Sequence, residues 1–158
     1  IAAWAKPDAK NKFQKKYPIA QNAVQLQQGT VMDLYPTILS VAHVKSPKHY
    51  ALDGADLKKL LQGKEDKNHR DDFLMHFPHG EHRANYFTTY RKGDWKLIYY
   101  YNPETTGIPT WKLYNLKDDP YETSELSAKY PEKTASMIEL MKNRLTEENA
   151  LYPITENK

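Results

Sequence analysis

The chain has 158 residues, enough for one ordinary domain, and 39% hydrophobic with 27% charged residues is a globular composition. The 23 basic and 20 acidic residues leave a net charge of +3, which is too small to argue for nucleic acid. The absence of cysteine excludes disulfides, thiol nucleophiles and thiolate metal sites, and no apolar run approaches the roughly 20 residues of a membrane helix.

The chain opens on Ile1-Ala2-Ala3-Trp4, without an initiating methionine, in a pattern typical of an interior strand. We therefore expect a fragment or a processed chain. Residues 6–17 contain five lysines and one acidic residue. This composition favours a solvated loop, with anion steering as the alternative.

Two helices are predicted next. Asp33 is favoured over Thr30 as the first N-cap, because a start at Asp33 leaves Pro36 in the first turn, where no hydrogen bond is lost. The predicted buried stripe consists of Leu34, Ile38, Val41 and Ala42. A second, short helix is capped by Asp56, carries leucines at 57, 60 and 61, and ends at Gly63.

Alternating patterns then predict an antiparallel meander, with strands near residues 73–77, 86–91, 95–101 and 111–116. Gly93 lies in a tight turn between the second and third strands. One face carries Trp95, Leu97, Trp111 and Leu113. We expect it to be covered by a helix after Pro131, whose predicted buried stripe is Ala135, Ile138, Met141 and Leu145.

Four strings, each weak alone, together resemble the C-terminal part of the sulfatase family, in the alkaline-phosphatase-like superfamily. They are residues 33–39 (DLYPTIL), 52–63 (LDGADLKKLLQG), 90–98 (YRKGDWKLI) and 113–123 (LYNLKDDPYET), in the order and spacing of that family. His43 departs from the pattern, since it stands where a helix-ending glycine is usual. A left-handed conformation is tolerable for histidine there.

The resemblance implies an α+β fold: a small antiparallel sheet of about four strands packed against a long C-terminal helix, preceded by helical segments of the parent catalytic domain. Residues 1–65 would be the tail end of that α/β domain, residues 66–150 the sheet-and-helix subdomain and residues 151–158 a tail. The family hydrolyses sulfate esters, so the resemblance implies that the parent is a sulfatase that acts on sulfated carbohydrates in the periplasm or outside the cell.

The resemblance also implies a formylglycine nucleophile, made from Cys or Ser in a Cys/Ser-x-Pro/Ala-x-Arg motif, and a calcium ion held by Asp and Asn side chains. All those positions would lie upstream of Ile1. We therefore expect no catalytic residue, metal ligand or cofactor in this chain, and no activity from the chain alone.

The candidate site is the stretch from His76 to Arg83, with further histidines at 79 and 82. Pro78 and Gly80 prevent the helix that would stack these histidines around a metal. In sulfatases that this chain resembles, the region leads toward the mouth of the active site. There, His76, His79, His82 and Arg83 could donate hydrogen bonds to a sugar hydroxyl, carboxylate or sulfate. The alternative is that His76 is satisfied within the sheet and the others are loop surface.

The expected partners are a sulfated saccharide and the missing N-terminal catalytic domain, without nucleic acid or membrane. Two rival hypotheses remain open. One is a free-standing carbohydrate- or protein-binding module, which should begin at a natural boundary. The other is a phosphoesterase of the same superfamily, which the upstream nucleophile would distinguish.

Overall fold

The computed structural model describes residues 15, 17–46, 48–78, 86–101, 107 and 109–152. The predicted opening strand at residues 1–4 lies outside them. The chain divides into two compact units, Ile1–Arg70 (unit 1) and Asp71–Lys158 (unit 2). Within the described ranges, no helix combines the length and apolar character needed to cross a bilayer.

The described part of unit 1 includes a 3₁₀ turn at Val31–Asp33 and the helices α1 (Leu34–Ala42) and α2 (Lys58–Leu61). The predicted start of α1 after Asp33 is confirmed, but the predicted side-chain cap is wrong. Asp33 Oδ2 instead accepts hydrogen bonds from the Thr30 backbone N–H at 2.6 Å and the Thr30 hydroxyl at 3.0 Å. Because the 3₁₀ turn precedes α1, Asp33 is the third residue of the helical run, and a carboxylate there reaches back to the start of the run.

The side chain of Asp33 is also the buried polar centre of unit 1. Its Oδ1 atom accepts a hydrogen bond from the Ala55 backbone N–H at 2.8 Å. The Thr37 hydroxyl donates to the Asp33 carbonyl at 2.6 Å and accepts from the Leu57 N–H at 2.9 Å. These bonds fix the segment that leads into α2 against the start of α1.

The loop before α2 approaches the 3₁₀ turn so closely that only glycine fits at position 54. A Cβ atom on Gly54 would lie 2.2 Å from the carbonyl oxygen of Met32. Asp56 Oδ1 accepts a hydrogen bond from the Lys58 backbone N–H at 2.9 Å, but the N-cap residue of α2 is Leu57, so the predicted cap lies one residue too early. Gly63, with a φ of 71°, follows the end of α2 as predicted.

The predicted buried stripe of Leu34, Ile38, Val41 and Ala42 is wrong: Leu34, Ile38 and Ala42 are exposed, and Val41 is only half-buried. Thr37 is the buried residue of this helix, whereas Leu34 is 51% and Ile38 62% exposed. The reason is that buried polar groups must be paired. The hydrogen bonds of Asp33 and Thr37 hold the polar side of α1 inward, and its apolar side therefore faces out. Helix α1 ends at His43, whose φ of 57° is the expected left-handed conformation.

Unit 2 is built on a four-stranded antiparallel meander in the order β1-β2-β3-β4. The strands are Asp72–Phe77 (β1), Phe87–Lys92 (β2), Trp95–Tyr100 (β3) and Trp111–Asn115 (β4). Gly93 has a φ of 57° in the turn between β2 and β3. The predicted α+β class and the predicted meander are confirmed.

Helix α3 spans Pro131–Glu147, with proline in its first turn. Its buried residues are Thr134, Met137, Met141 and Leu145. The predicted stripe is right at Met141 and Leu145, but Ala135 is exposed and Ile138 only partly buried. The buried face is rotated toward the larger Met137 side chain, which fills more of the core than Ala135 could.

The core of unit 2 lies between α3 and one face of the sheet. Tyr90, Leu97 and Leu113 form a row across β2, β3 and β4, and Leu97 and Leu113 are 0% exposed. These three side chains pack with the buried residues of α3, and Trp95 and Trp111 pack at the margin. The predicted helix-covered face is therefore confirmed.

Candidate functional site

A second row of side chains lies beside the core row of Tyr90, Leu97 and Leu113, on the same face of the sheet and nearer the C-terminal end of β1. His76 pairs with Thr88, Thr88 with Tyr99, and Tyr99 with Trp111. Side chains of paired residues share a face, so the row lies on the α3 side, two residues beyond the core row. It places the histidine predicted from the sequence among one threonine and two aromatic residues.

Both ring nitrogens of His76 have partners within unit 2. Nε2 donates to the Leu151 backbone carbonyl at 2.6 Å, because a carbonyl oxygen can only accept. Nδ1 lies 2.7 Å from the Thr88 hydroxyl, which can donate to it when the ring is neutral. The hydroxyl of Tyr101 lies 2.7 Å from the Thr88 hydroxyl and 3.3 Å from Nδ1. A continuous hydrogen-bonded chain therefore links the residue that follows β3 to β2, β1 and the segment that follows α3.

Two tyrosine rings enclose the imidazole of His76. Tyr101 and Tyr152 lie with their ring centroids 6.0 Å and 5.9 Å from it, both in edge-to-face arrangements. Burial raises the pKa of Tyr101, so its hydroxyl stays protonated and able to donate. Through these contacts, His76 acts as an anchor between β1 and residues 151–152. A direct contact with a ligand would require exchanging one of its present hydrogen bonds.

The aromatic residues around this row do not form one flat stacking platform. Tyr99 contacts Trp111 at 4.4 Å with an interplanar angle of 34°, and it meets Tyr101 edge-to-face at 4.7 Å. Tyr100 lies on the opposite face of the sheet, where the Lys112 Nζ atom is 5.6 Å from its ring centroid. Tyr99 and Tyr100 therefore lie on opposite faces of the sheet, as alternation along a strand requires.

The other three candidates, His79, His82 and Arg83, lie outside the described residues, and their substrate role stays a prediction. They belong to the connection that joins β1 to β2. Phe77 and Phe87 pair at the base of this connection, with ring centroids 5.7 Å apart. The connection therefore starts and finishes next to the His76 row.

Sequence reasoning missed the partners of His76, namely Thr88, Tyr101, Leu151 and Tyr152. Alternation within β2 places Thr88 on the same face as Tyr90, but only the register with β1 sets it beside His76. The bond to Leu151 spans 75 residues. No local pattern could have indicated that contact.

Among the described residues, no group of three or more histidines and carboxylates is placed to hold a metal ion. Unit 2 also contains an ion pair between α3 and β1, in which the Arg144 Nε atom lies 3.4 Å from Asp72 Oδ2. The Tyr90 hydroxyl donates to the same Asp72 oxygen at 3.0 Å. The ion pair of Arg144 and Asp72 joins α3 to β1 next to the core, and we assign it a structural role.

Comparison with known proteins finds sulfatases over most of the chain. A sulfatase of Formosa agariphila is 34% identical over 146 residues, covering 82% of this chain and 25% of that protein. Arylsulfatase K of Xenopus laevis is 28% identical over 117 residues, covering 68% of this chain and 20% of that protein. The chain thus spans about a quarter of the length of the first of these relatives and a fifth of the second.

Solved structures give the same result for the fold. The structure of BT4656 in complex with its substrate, D-glucosamine-2-N,6-O-disulfate, aligns with a TM-score of 0.58 and 30% identity, covering 72% of this chain and 23% of that one. The phosphonate monoester hydrolase of Agrobacterium radiobacter aligns with a TM-score of 0.54 and 22% identity, covering 73% of this chain and 24% of that one. The second likeness concerns the fold alone.

A four-stranded meander covered by one helix is the fold that these structures share with this chain. It is the fold of the C-terminal domain of sulfatases. A family model described as "N-sulphoglucosamine sulphohydrolase, C-terminal" matches residues 7–150. The chain belongs to this family of sulfatase C-terminal domains.

Proposed function

We propose that this chain is the C-terminal portion of a hydrolase that cleaves sulfate esters of sulfated carbohydrates. The family match over residues 7–150 carries the proposal. The 30% identity to a structure solved with a disulfated glucosamine supports the choice of substrate class. The work of this chain would be to close one side of the substrate cleft, to position the ester and to discriminate among substrates.

We place the bond-breaking chemistry in the remainder of the parent protein. The chain has no cysteine, and none of its serines, at positions 40, 46, 124, 127 and 136, lies in a Cys/Ser-x-Pro/Ala-x-Arg motif. Among the described residues, no group of three or more His, Cys, Asp or Glu side chains is placed to hold a metal ion. We infer that a formylglycine and a calcium ion, if the parent uses them, would be held by residues outside this chain.

Within this chain, we propose that His79, His82 and Arg83 contact the substrate. Imidazole and guanidinium groups donate hydrogen bonds to sulfate, carboxylate and hydroxyl oxygens. His76, the fourth candidate, would support them by fixing the end of β1, from which their connection departs. In the parent, we expect His79→Ala to lower the turnover of the natural sugar substrate, and unchanged kinetics would remove His79 from the site.

The exposed apolar side of α1 supports the proposal that unit 1 is completed by the catalytic domain. Val31 is 78%, Leu34 51% and Ile38 62% exposed. Contiguous apolar surface of this kind marks protein–protein contact. We propose that this side of α1 packs against the upstream part of the parent, which the relatives possess and this chain does not include.

The central experiment compares the parent and the 158-residue chain for sulfate release from an aryl sulfate and from D-glucosamine-2-N,6-O-disulfate. We expect release by the parent and none by the chain alone. Release by the chain alone would contradict our placement of the chemistry upstream. Preferential hydrolysis of a phosphonate or phosphate ester by the parent would favour the phosphoesterase alternative. Saccharide binding without any hydrolysis by the parent would favour a binding module.

We also propose that the parent acts in the periplasm or outside the cell, a location that rests on the family resemblance alone. Fractionation of cells that express the tagged parent tests it. Recovery in the cytoplasmic fraction would contradict it.

A further inference from the structure

Unit 1 contains an open groove that the proposed function does not use. Its volume is about 530 Å³, within the range of small-molecule binding sites. The groove is lined by three lysines, one amide and an apolar stretch: Lys15, Lys58, Lys64, Gln62, Pro18 and Ile19. All of these residues belong to the same compact unit.

The three lysines carry positive charge into the groove. The lysine ion pairs formed among the described residues involve Lys59, Lys92 and Lys96, and none of the groove lysines. Lys58 Nζ instead lies 5.5 Å from the ring centroid of the buried Tyr17. Three like charges around one concave surface raise the local positive potential, and such a surface attracts anions.

Backbone and side-chain bonds tie the walls of the groove together. The Ala20 backbone N–H donates to the Leu61 carbonyl at 2.8 Å, and Gln25 Nε2 donates to the Lys64 carbonyl at 3.0 Å. The Tyr17 hydroxyl donates to Asp56, whose carboxylate also accepts a hydrogen bond from the Lys58 backbone N–H at the start of α2. The groove is therefore formed before a ligand arrives, so less conformational entropy is lost on binding.

We propose that this groove binds an anionic oligosaccharide. The ammonium groups of Lys15, Lys58 and Lys64 would pair with sulfate or carboxylate groups, and the Gln62 amide would bond a sugar hydroxyl. Pro18 and Ile19 offer an apolar surface for the C–H face of a sugar ring. The overall charge of +3 is too small for a general polyanion surface, which favours a discrete ligand over nucleic acid.

The proposal of an anion site is supported by the groove and its three lysines alone, whereas the choice of a sulfated sugar rests on the proposed function. In the parent, such a site would hold one part of a polymeric substrate and favour long chains over short ones. Linking two weak contacts on one chain raises the apparent affinity for the polymer without any change at the reacting centre.

The test measures binding, without turnover, by titration calorimetry on the full-length protein. The probes are a heparin-derived tetrasaccharide, its desulfated counterpart and a short DNA duplex. The variant is Lys15→Gln/Lys58→Gln/Lys64→Gln. The control, Lys48→Gln/Lys117→Gln/Lys142→Gln, removes the same charge from exposed positions outside the groove.

We expect the groove variant to bind the sulfated tetrasaccharide roughly tenfold more weakly, since each exposed charge pair contributes little by itself. The control should change the affinity less than twofold, and added salt should weaken binding to the wild type. Equal loss in both variants, or no loss in either, would overturn the proposal. Tighter binding of the DNA than of the saccharide would also overturn it.

If the triple variant does not fold, lysine acetylation of the wild type gives an independent readout. The ligand should protect Lys15, Lys58 and Lys64 from acetylation and leave Lys48, Lys117 and Lys142 reactive. Protection spread evenly over all six lysines would overturn the proposal. Because neither measurement uses hydrolysis, either result can be told apart from failure of the proposed sulfatase activity.

Discussion

Replacing Thr88 with valine tests whether the hydrogen-bonded chain around His76 holds unit 2 together. Thr88 is 0% exposed, and its hydroxyl lies 2.7 Å from both His76 Nδ1 and the Tyr101 hydroxyl. Valine keeps the shape but removes both bonds, and leaves the two partners with one longer contact of 3.3 Å between them. Leaving buried polar groups poorly paired costs about 1–3 kcal/mol, so we expect Thr88→Val to lower the free energy of unfolding by that amount.

Thr89→Val provides a matched control one residue away. Thr89 is also buried, at 9% exposure, but its hydroxyl forms no hydrogen bond with the described residues. Its replacement should therefore be neutral or slightly stabilising. Urea and thermal unfolding followed by circular dichroism measure both variants, with about 4–8 °C of melting temperature expected for each kcal/mol in a unit of this size.

A double-mutant cycle with Tyr101→Phe then isolates the coupling. Once the Thr88 hydroxyl is gone, loss of the Tyr101 hydroxyl should cost less than it does alone, because the two groups share partners. Equal destabilisation by Thr88→Val and Thr89→Val, or full additivity in the cycle, would refute the hydrogen-bonded chain. The anchoring role that we assign to His76 would then have no support.

Three further predictions concern other parts of the chain. Gly54→Ala should prevent or strongly weaken folding, because its Cβ would lie 2.2 Å from the Met32 carbonyl oxygen. The control Gly93→Ala meets no neighbouring atom and should cost only about 1 kcal/mol, for its positive φ. Equal melting temperatures of the two variants would contradict this. Burial raises the pKa of Glu125, but backbone N–H groups that donate to its carboxylate outweigh burial and lower the pKa overall. The stability that this group contributes is therefore present above the ordinary carboxyl pKa and lost as pH falls below about 4.3. In Glu125→Gln, the free energy of unfolding, measured by urea titration at several pH values, should depend less on pH in that range. An unchanged pH dependence would contradict this. Ile38→Ser should destabilise the parent by about 1–2 kcal/mol, since full burial of isoleucine contributes about 1.5–3 kcal/mol and Ile38 has 62% left to bury, while the isolated chain should be unaffected.

Much of the fold could be predicted because its signals are local. The alternation on both sides of Gly93 predicts a hairpin, since glycine accepts the left-handed conformation of its tight turn. The apolar positions after Pro131 predict a helix, since proline is tolerated in its first turn. Burial was harder to predict. Ala135 fits the helical spacing, but Met137 fills the core because its side chain is larger.

The candidate site could be predicted only in part. The sequence pointed to His76 as a residue of special chemistry, with satisfaction inside the sheet as the alternative. In the structure both of its nitrogens are engaged within unit 2. The neighbouring candidates His79, His82 and Arg83 lie outside the described residues, so their role stays a prediction.

The sequence by itself determined the order and type of the elements, the hairpin glycine and the family, because these depend on residues close together in the chain. Only the tertiary structure decided which side of α1 is exposed and which residues satisfy His76. It also decided that His69 is buried, at 9% exposure, and donates to the Gln28 carbonyl at 2.8 Å. Each of these outcomes depends on pairing buried polar groups across distant parts of the chain, which local periodicity does not encode.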